Sequence, residues 1–176
     1  APSLSLNRRN ISSTVLRGRI TSWRGTSTSN VAEAKALNGI TISSGTATVA
    51  QVVALNTLVG TKLDKSTVAV SDSAAHLVAG VGVTSTLTLL NAVQSASGTI
   101  AVSSPTTVSN IVTINTALTS ELNSFGLDDS ASALLAATGG EALNAVQDAA
   151  SIAVNTATSM ANVDLIKTAA TSGTAP

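Results

Sequence analysis

The chain has 176 residues, nine basic and nine acidic, and is 44% hydrophobic, with one Trp, one Phe, no Tyr and no Cys. That length fits one domain, the lack of Cys excludes a disulfide scaffold, and the absence of an eighteen-residue apolar run excludes a conventional membrane-spanning helix. The zero net charge conceals a split, because Arg8, Arg9, Arg17, Arg19 and Arg24 all precede the first carboxylate, Glu33.

Residues 1–30 therefore read as a basic N-terminal arm of charge +5. Residues 31–176, with four basic residues against nine carboxylates, read as an Ala/Thr/Ser-rich β-α repeat domain of charge −5. Trp23 sits beside Arg24, and Trp and Arg are enriched at binding hot spots. Arg8, Arg9, Arg17, Arg19, Trp23 and Arg24 are thus the candidate partner-binding residues. The alternative is that the arm folds back as a capping strand or helix, with Trp23 covering the first layer. Nucleic acid is an unfavoured partner: the arm has no Lys, no basic run beyond Arg8-Arg9 and one aromatic residue, and the acidic body continues no phosphate track. The start at Ala1-Pro2 fits removal of Met or of a leader.

Further along, four alternating runs predict short strands: Ile40-Thr41-Ile42-Ser43, Val68-Ala69-Val70-Ser71, Ile100-Ala101-Val102-Ser103 and Ile152-Ala153-Val154-Asn155. Polar residues or Pro follow each, as at helix N-caps and turns, and a helix is expected after each. Over 106–118 the positions Val108, Ile111, Val112, Ile114 and Leu118 have helical spacing, with Pro105 where a helix can begin. Extra helices are expected over residues 85–96 and 140–149.

The chain is internally duplicated. Leu90-Asn91-Ala92-Val93-Gln94 returns as Leu143-Asn144-Ala145-Val146-Gln147, and Ser71-Asp72-Ser73-Ala74 matches Asp128-Asp129-Ser130-Ala131. Val108-Ser109-Asn110-Ile111 matches Met160-Ala161-Asn162-Val163, and Thr48-Val49-Ala50-Gln51 matches Thr107-Val108-Ser109-Asn110. The smaller unit recurs at uneven spacings of roughly 25 to 32 residues, the mark of supersecondary units that cannot each bury their own apolar face. Ala, Val, Leu and Ile must fill the core in thin layers. The expected fold is α/β, with short parallel strands alternating with helices in a right-handed solenoid-like repeat stack. An irregular domain whose repeats have decayed is the alternative.

Chemistry is poorly represented. His76 is the only imidazole, and although Asp72 and Ser73 are close in sequence, no nucleophile-elbow pattern surrounds any Ser. The duplicate keeps Asp129, Ser130 and Leu134 but places Ala133 at the His76 position, so the shared feature is a helix start with Asp or Ser at its cap. Asp128-Asp129 lacks the spacing of a calcium loop. Gly60-Thr61-Lys62 and Gly80-Val81-Gly82 lack the glycines of nucleotide sites and read as turns. Asn10-Ile11-Ser12 is a formal glycosylation acceptor to which no role is assigned. No catalytic residue, metal or cofactor is expected.

The strand, Ser-Asp-Ser-Ala-Ala and Leu-Val pattern of residues 67–78 resembles Ala/Thr-rich repeats of large bacterial and cyanobacterial surface proteins and of some phage structural proteins. The likeness extends by pattern over residues 40–170. It implies a non-enzymatic role at a virion or extracellular surface. The expectation is a phage virion protein (capsid decoration, tail or fibre attachment) that docks through its basic arm. Its partners would be itself, as a homo-oligomer, and a neighbouring structural protein, without nucleic acid or membrane insertion. A bacterial surface-layer or adhesin module is the alternative, and a carboxylate-based carbohydrate-active enzyme the third.

Overall fold

The computed structural model describes residues 17–19, 39–42 and 45–172. Short parallel strands alternate with helices in a mixed α/β arrangement. The strands are β1 (Arg17–Arg19), β2 (Gly39–Thr41), β3 (Ala69–Asp72), β4 (Thr99–Val102), β5 (Gly126–Asp129) and β6 (Ser151–Val154). They pair in parallel as β1 with β2, β3 with β4 and β5 with β6. Isolated parallel bridges, Ile40 to Leu63, Ala47 to Val70, Ala101 to Ser124 and Thr106 to Leu127, link segments that the strand pairs leave apart.

Each strand is too short to be stable by itself, so burial must come from the helices. Four of the pairing residues, Ile40, Val70, Ile100 and Leu127, are sealed from solvent, and their neighbours in the strands turn outward. Helices Val49–Val59, Ala74–Val81, Thr84–Ser95, Val108–Ala117, Gly140–Asp148 and Met160–Ser172 contribute Val52, Leu77, Leu90, Val93, Ile111, Ile114, Val146 and Ile166 to one core running from Ile40 to Ala169. The helix Val108–Ala117 packs between Ala74–Val81 and Gly140–Asp148, while Met160–Ser172 packs on Ala131–Leu135 and Gly140–Asp148. Among the described residues, Phe125 is the one Phe, Tyr or Trp side chain in this core.

The four expected strands are present, each displaced by about one residue. The helix expected over 106–118 spans Val108–Ala117, because the Thr107 hydroxyl accepts the Asn110 N–H and fixes the start there, leaving Pro105 outside. Helices Thr84–Ser95 and Gly140–Asp148 occupy the two extra positions. Sequence periodicity missed β5, for a physical reason. Gly126-Leu127-Asp128-Asp129 has one apolar residue and no β-branched one, and its strand conformation is imposed by pairing with β6 and by Thr106, whose N–H and C=O both bond to it.

The turn after Thr84–Ser95 is closely packed. Ser97 adopts φ 69°, and the Gly98 N–H returns to the Val93 carbonyl at 2.8 Å. A Cβ at Gly98 would lie 2.5 Å from Val93 Cγ1, 2.6 Å from the Lys65 carbonyl and 2.7 Å from the Val68 carbonyl, two of them rigid backbone. Gly98→Ala is expected to lower unfolding free energy by roughly 1–3 kcal/mol in urea titration. By contrast Gly39→Ala, where nothing lies within 4 Å, should stay within about 0.5 kcal/mol of the parent.

Candidate interaction surface and the capping carboxylates

The sequence places Asp72 and Asp129 at the ends of β3 and β5, each followed by a Ser that starts a helix. Ser73 and Ser130 are the true N-caps, their hydroxyls accepting the backbone N–H groups of His76 and Ala133. The aspartates do something else. Asp72 Oδ2 accepts the Val49 N–H at 2.9 Å, and Asp129 Oδ2 accepts the Val108 N–H at 3.0 Å, so each carboxylate closes the first turn of a helix 23 or 21 residues earlier in the chain. The remaining oxygen of each takes the following Ser N–H at 2.8 Å. Thr156 repeats the device with a hydroxyl, accepting the Ala131 N–H at 3.1 Å. A negative oxygen at a helix N-terminus satisfies an orphan donor and meets the positive end of the helix dipole.

His76 does contact Asp72, Nδ1 to Oδ1 at 2.8 Å, but its side chain is 72% exposed while Asp72 is buried. Burial acts to raise the Asp72 pKa. Hydrogen bonds from His76, Ser73 and Val49, together with the His76 charge, outweigh it and hold the carboxyl below its ordinary 3.8. Asp129 performs the same bonding with Ala133 in the histidine's place. What the two copies share is therefore the bonding of Asp72 and Asp129 to the helix starts.

The repeated Leu-Asn-Ala-Val-Gln block also clamps the turn at residues 119–121. Asn91 Oδ1 accepts the Thr119 N–H, and the Gln94 amide donates to the Ser120 and Glu121 carbonyls while its oxygen takes the Ser120 N–H. In the second copy the Gln147 amide nitrogen is buried with no partner among the described residues, as is Glu141 Oε2. The Glu121 carboxyl is raised above its usual range by lost hydration, then by the Asp148 and Glu141 charges and a hydrogen bond with Asp148. Among the described residues no group of three His, Cys, Asp or Glu side chains is placed to hold a metal. None of the described helices is long and apolar enough to cross a membrane. The pair Ala74–Val81 and Thr84–Ser95 reaches that composition only across a 108° bend, with Leu77, Leu90 and Val93 buried in the core.

Of the residues expected to bind a partner, Arg17 and Arg19 lie in β1, whose backbone pairs with Gly39 and Thr41 of β2. Arg8, Arg9, Trp23 and Arg24 lie outside the described residues.

A surface that periodicity did not single out lies at the other end. Met160 and Val163 align with Val108 and Ile111, which are sealed in the core, yet they are 75% and 38% exposed. Ile152 and Val154 of β6 are half-buried where their counterparts Ile100 and Val102 are buried. The local geometry of the two helix starts is otherwise the same: Asn110 and Asn162 donate their side-chain amides to Thr106 and Thr158, and their N–H groups to Thr107 and Ser159. No acceptor reaches the Met160 N–H among the described residues, and no described strand pairs with the outer edge of β6. The signal was present in the alignment of Met160 on Val108, but sequence cannot say which of two equal apolar faces is covered.

No protein-family model, curated protein or solved structure matches the chain.

Asp72→Ala is expected to lower stability by roughly 2–3 kcal/mol, since it orphans two backbone donors, whereas His76→Ala should cost less than about 1 kcal/mol. Because the folded-state pKa of Asp72 lies below its unfolded value, its contribution is present above pH 3.8 and is lost as pH falls through the folded pKa. Urea titrations should therefore show the gap between parent and Asp72→Ala narrowing as pH falls below about 3.8.

Proposed function

We propose that the chain is a non-enzymatic structural component of an extracellular assembly, in the first instance a virion protein. We read its strand–helix units as a right-handed solenoid-like stack, the hand that parallel strands joined by crossover helices almost always take. The observation that carries this reading is the duplicated carboxylate cap, Asp72 on Val49 and Asp129 on Val108. Both copies keep the bond between units and only one keeps the histidine, so what the duplication retains serves construction. An aliphatic core with thin layers fits a body whose stability comes from many repeated contacts. The basic arm is the docking element, anchored at Arg17–Arg19 beside β2. A bacterial surface-layer or adhesin module is the second reading, favoured by the uncovered apolar face at Met160 and Val163, which suits a module joined to others.

Fractionation of the producing culture into purified particles, cell envelope and soluble extract tests this. Recovery in particles supports the virion reading, recovery in envelope the second, and recovery as an unassociated soluble protein rejects both. The triple variant Arg8→Ala, Arg9→Ala, Arg24→Ala should reduce incorporation at least about tenfold, an effect of about 1.4 kcal/mol in affinity. Unchanged incorporation would reject docking through the arm.

A further inference from the structure

The last helix departs from its duplicate at the positions that decide what can lie against it. Helix Val108–Ala117 is held on two sides, by Ala74–Val81 and by Gly140–Asp148. There Val112 is half-buried against the core, and Asn115 is buried with its Oδ1 on the Leu122 N–H. Helix Met160–Ser172 rests on Ala131–Leu135 and Gly140–Asp148, with Ile166 and Ala169 buried. Its equivalents of Val112 and Asn115 are Asp164 and Lys167, both exposed. At 3.6 residues per turn, Met160, Asp164, Lys167 and Thr171 form one exposed stripe on the side opposite Ile166 and Ala169. Among the described residues neither the Asp164 carboxylate nor the Lys167 ammonium has a hydrogen-bond or ion-pair partner, while their backbone carbonyls accept the Thr168 and Thr171 hydroxyls at 2.8 Å.

We infer that this stripe is a two-fold contact between two copies of the chain, the helix Met160–Ser172 of each lying antiparallel on that of the other. The inference rests on the reading of the protein as an assembly component. Charge selects the occupant. A further apolar unit of the kind that covers Val112 would bury Asp164 and Lys167 unpaired, at a high cost in lost hydration. A partner of one sign would satisfy one of the two and repel the other. The same stripe reversed satisfies both. About a two-fold axis level with the midpoint of Asp164 and Lys167, each Asp164 faces the Lys167 of the other copy, and each Met160 faces its Thr171. The Thr171 hydroxyl is already bonded within its own helix, so Thr171 meets Met160 without an unsatisfied donor. Val163, 38% exposed, flanks the contact. Antiparallel helices also set their dipoles in opposition. One helix pair makes an interface at the low end of the size range, below roughly 1,200 Å² in total, and its association is correspondingly weak.

Sedimentation velocity of the full chain, over a roughly hundredfold concentration range reaching about 1 mM, should show an equilibrium that stops at the dimer, because an isologous contact closes on itself. Raising ionic strength should weaken it. Asp164→Lys and Lys167→Asp each give the stripe a single sign and should raise the apparent dissociation constant at least about tenfold. The urea midpoint should hold, since both side chains are exposed. Mixing the two single variants should restore dimers, as each then meets the opposite sign, and the double variant Asp164→Lys with Lys167→Asp should associate as the parent does. A chain that stays monomeric throughout overturns the inference, as does growth past the dimer, a single variant that dimerises like the parent, or mixed variants that stay apart. Fractionation separates this contact from the assembly reading. If the parent dimerises in this pattern yet is recovered with neither particles nor envelope, the contact stands and the assembly reading fails. If the parent is recovered with either but stays monomeric in solution, and both single variants are recovered as it is, the contact fails and the structural role stands without it.

Discussion

The architecture depends on a carboxylate that reaches out of its own unit. A helix start leaves backbone N–H groups that the helix itself cannot satisfy. Here the first of them is satisfied by Asp72 or Asp129 from the strand that comes next, while the nearer serines serve the helices that follow them. One side chain therefore links three segments: the end of a strand, the helix that begins after it and the helix that began about 21 to 23 residues before. Apolar packing alone could tolerate a slip of the strands. A carboxylate that must meet one particular N–H, buried at Asp72 and half-buried at Asp129, fixes the register.

The core tolerates its small side chains because of that fixed register. Val, Leu, Ile and Ala offer little area apiece, and only Phe125 supplies an aromatic ring in the described core. Close approach substitutes for bulk. At Gly80 a Cβ would lie 3.2 Å from Val49 Cγ1 and 3.3 Å from Thr86 Cγ2, so the helix it belongs to sits tightly against two others. Side-chain amides take over where backbone pairing stops: Asn123 accepts the Ile100 N–H at 2.7 Å and Asn115 accepts the Leu122 N–H at 3.1 Å. These asparagines do for loops what the aspartates do for helices.

Much of this was legible in the sequence. Alternating β-branched runs located β2, β3, β4 and β6, and helical spacing located Val108–Ala117, because in these segments local preference and burial agree. Gly126–Asp129 was not legible, since its strand form comes from its neighbours. The Asp and Ser at each unit's turn were recognised as capping residues, but their division of labour was not: pattern alone cannot show that the Asp side chain turns back to an earlier helix. The exposure of Met160 and Val163 was hidden because it is a property of what surrounds a side chain. The arm was visible as charge, and β1 adds that Arg17 to Arg19 follows the strand direction of the body.

The sequence distance spanned by each cap carries a consequence for synthesis. A helix such as Val49–Val59 emerges from the ribosome without the acceptor for its first N–H, which arrives only when Asp72 does. The separations of 21, 23 and 25 residues between helix starts and their acceptors make completion local and sequential. Native contacts of that span keep loop-closure entropy small and favour fast folding. The nascent chain can thus consolidate from its N-terminal side with a lag of one unit, each newly made strand locking the helix made before it.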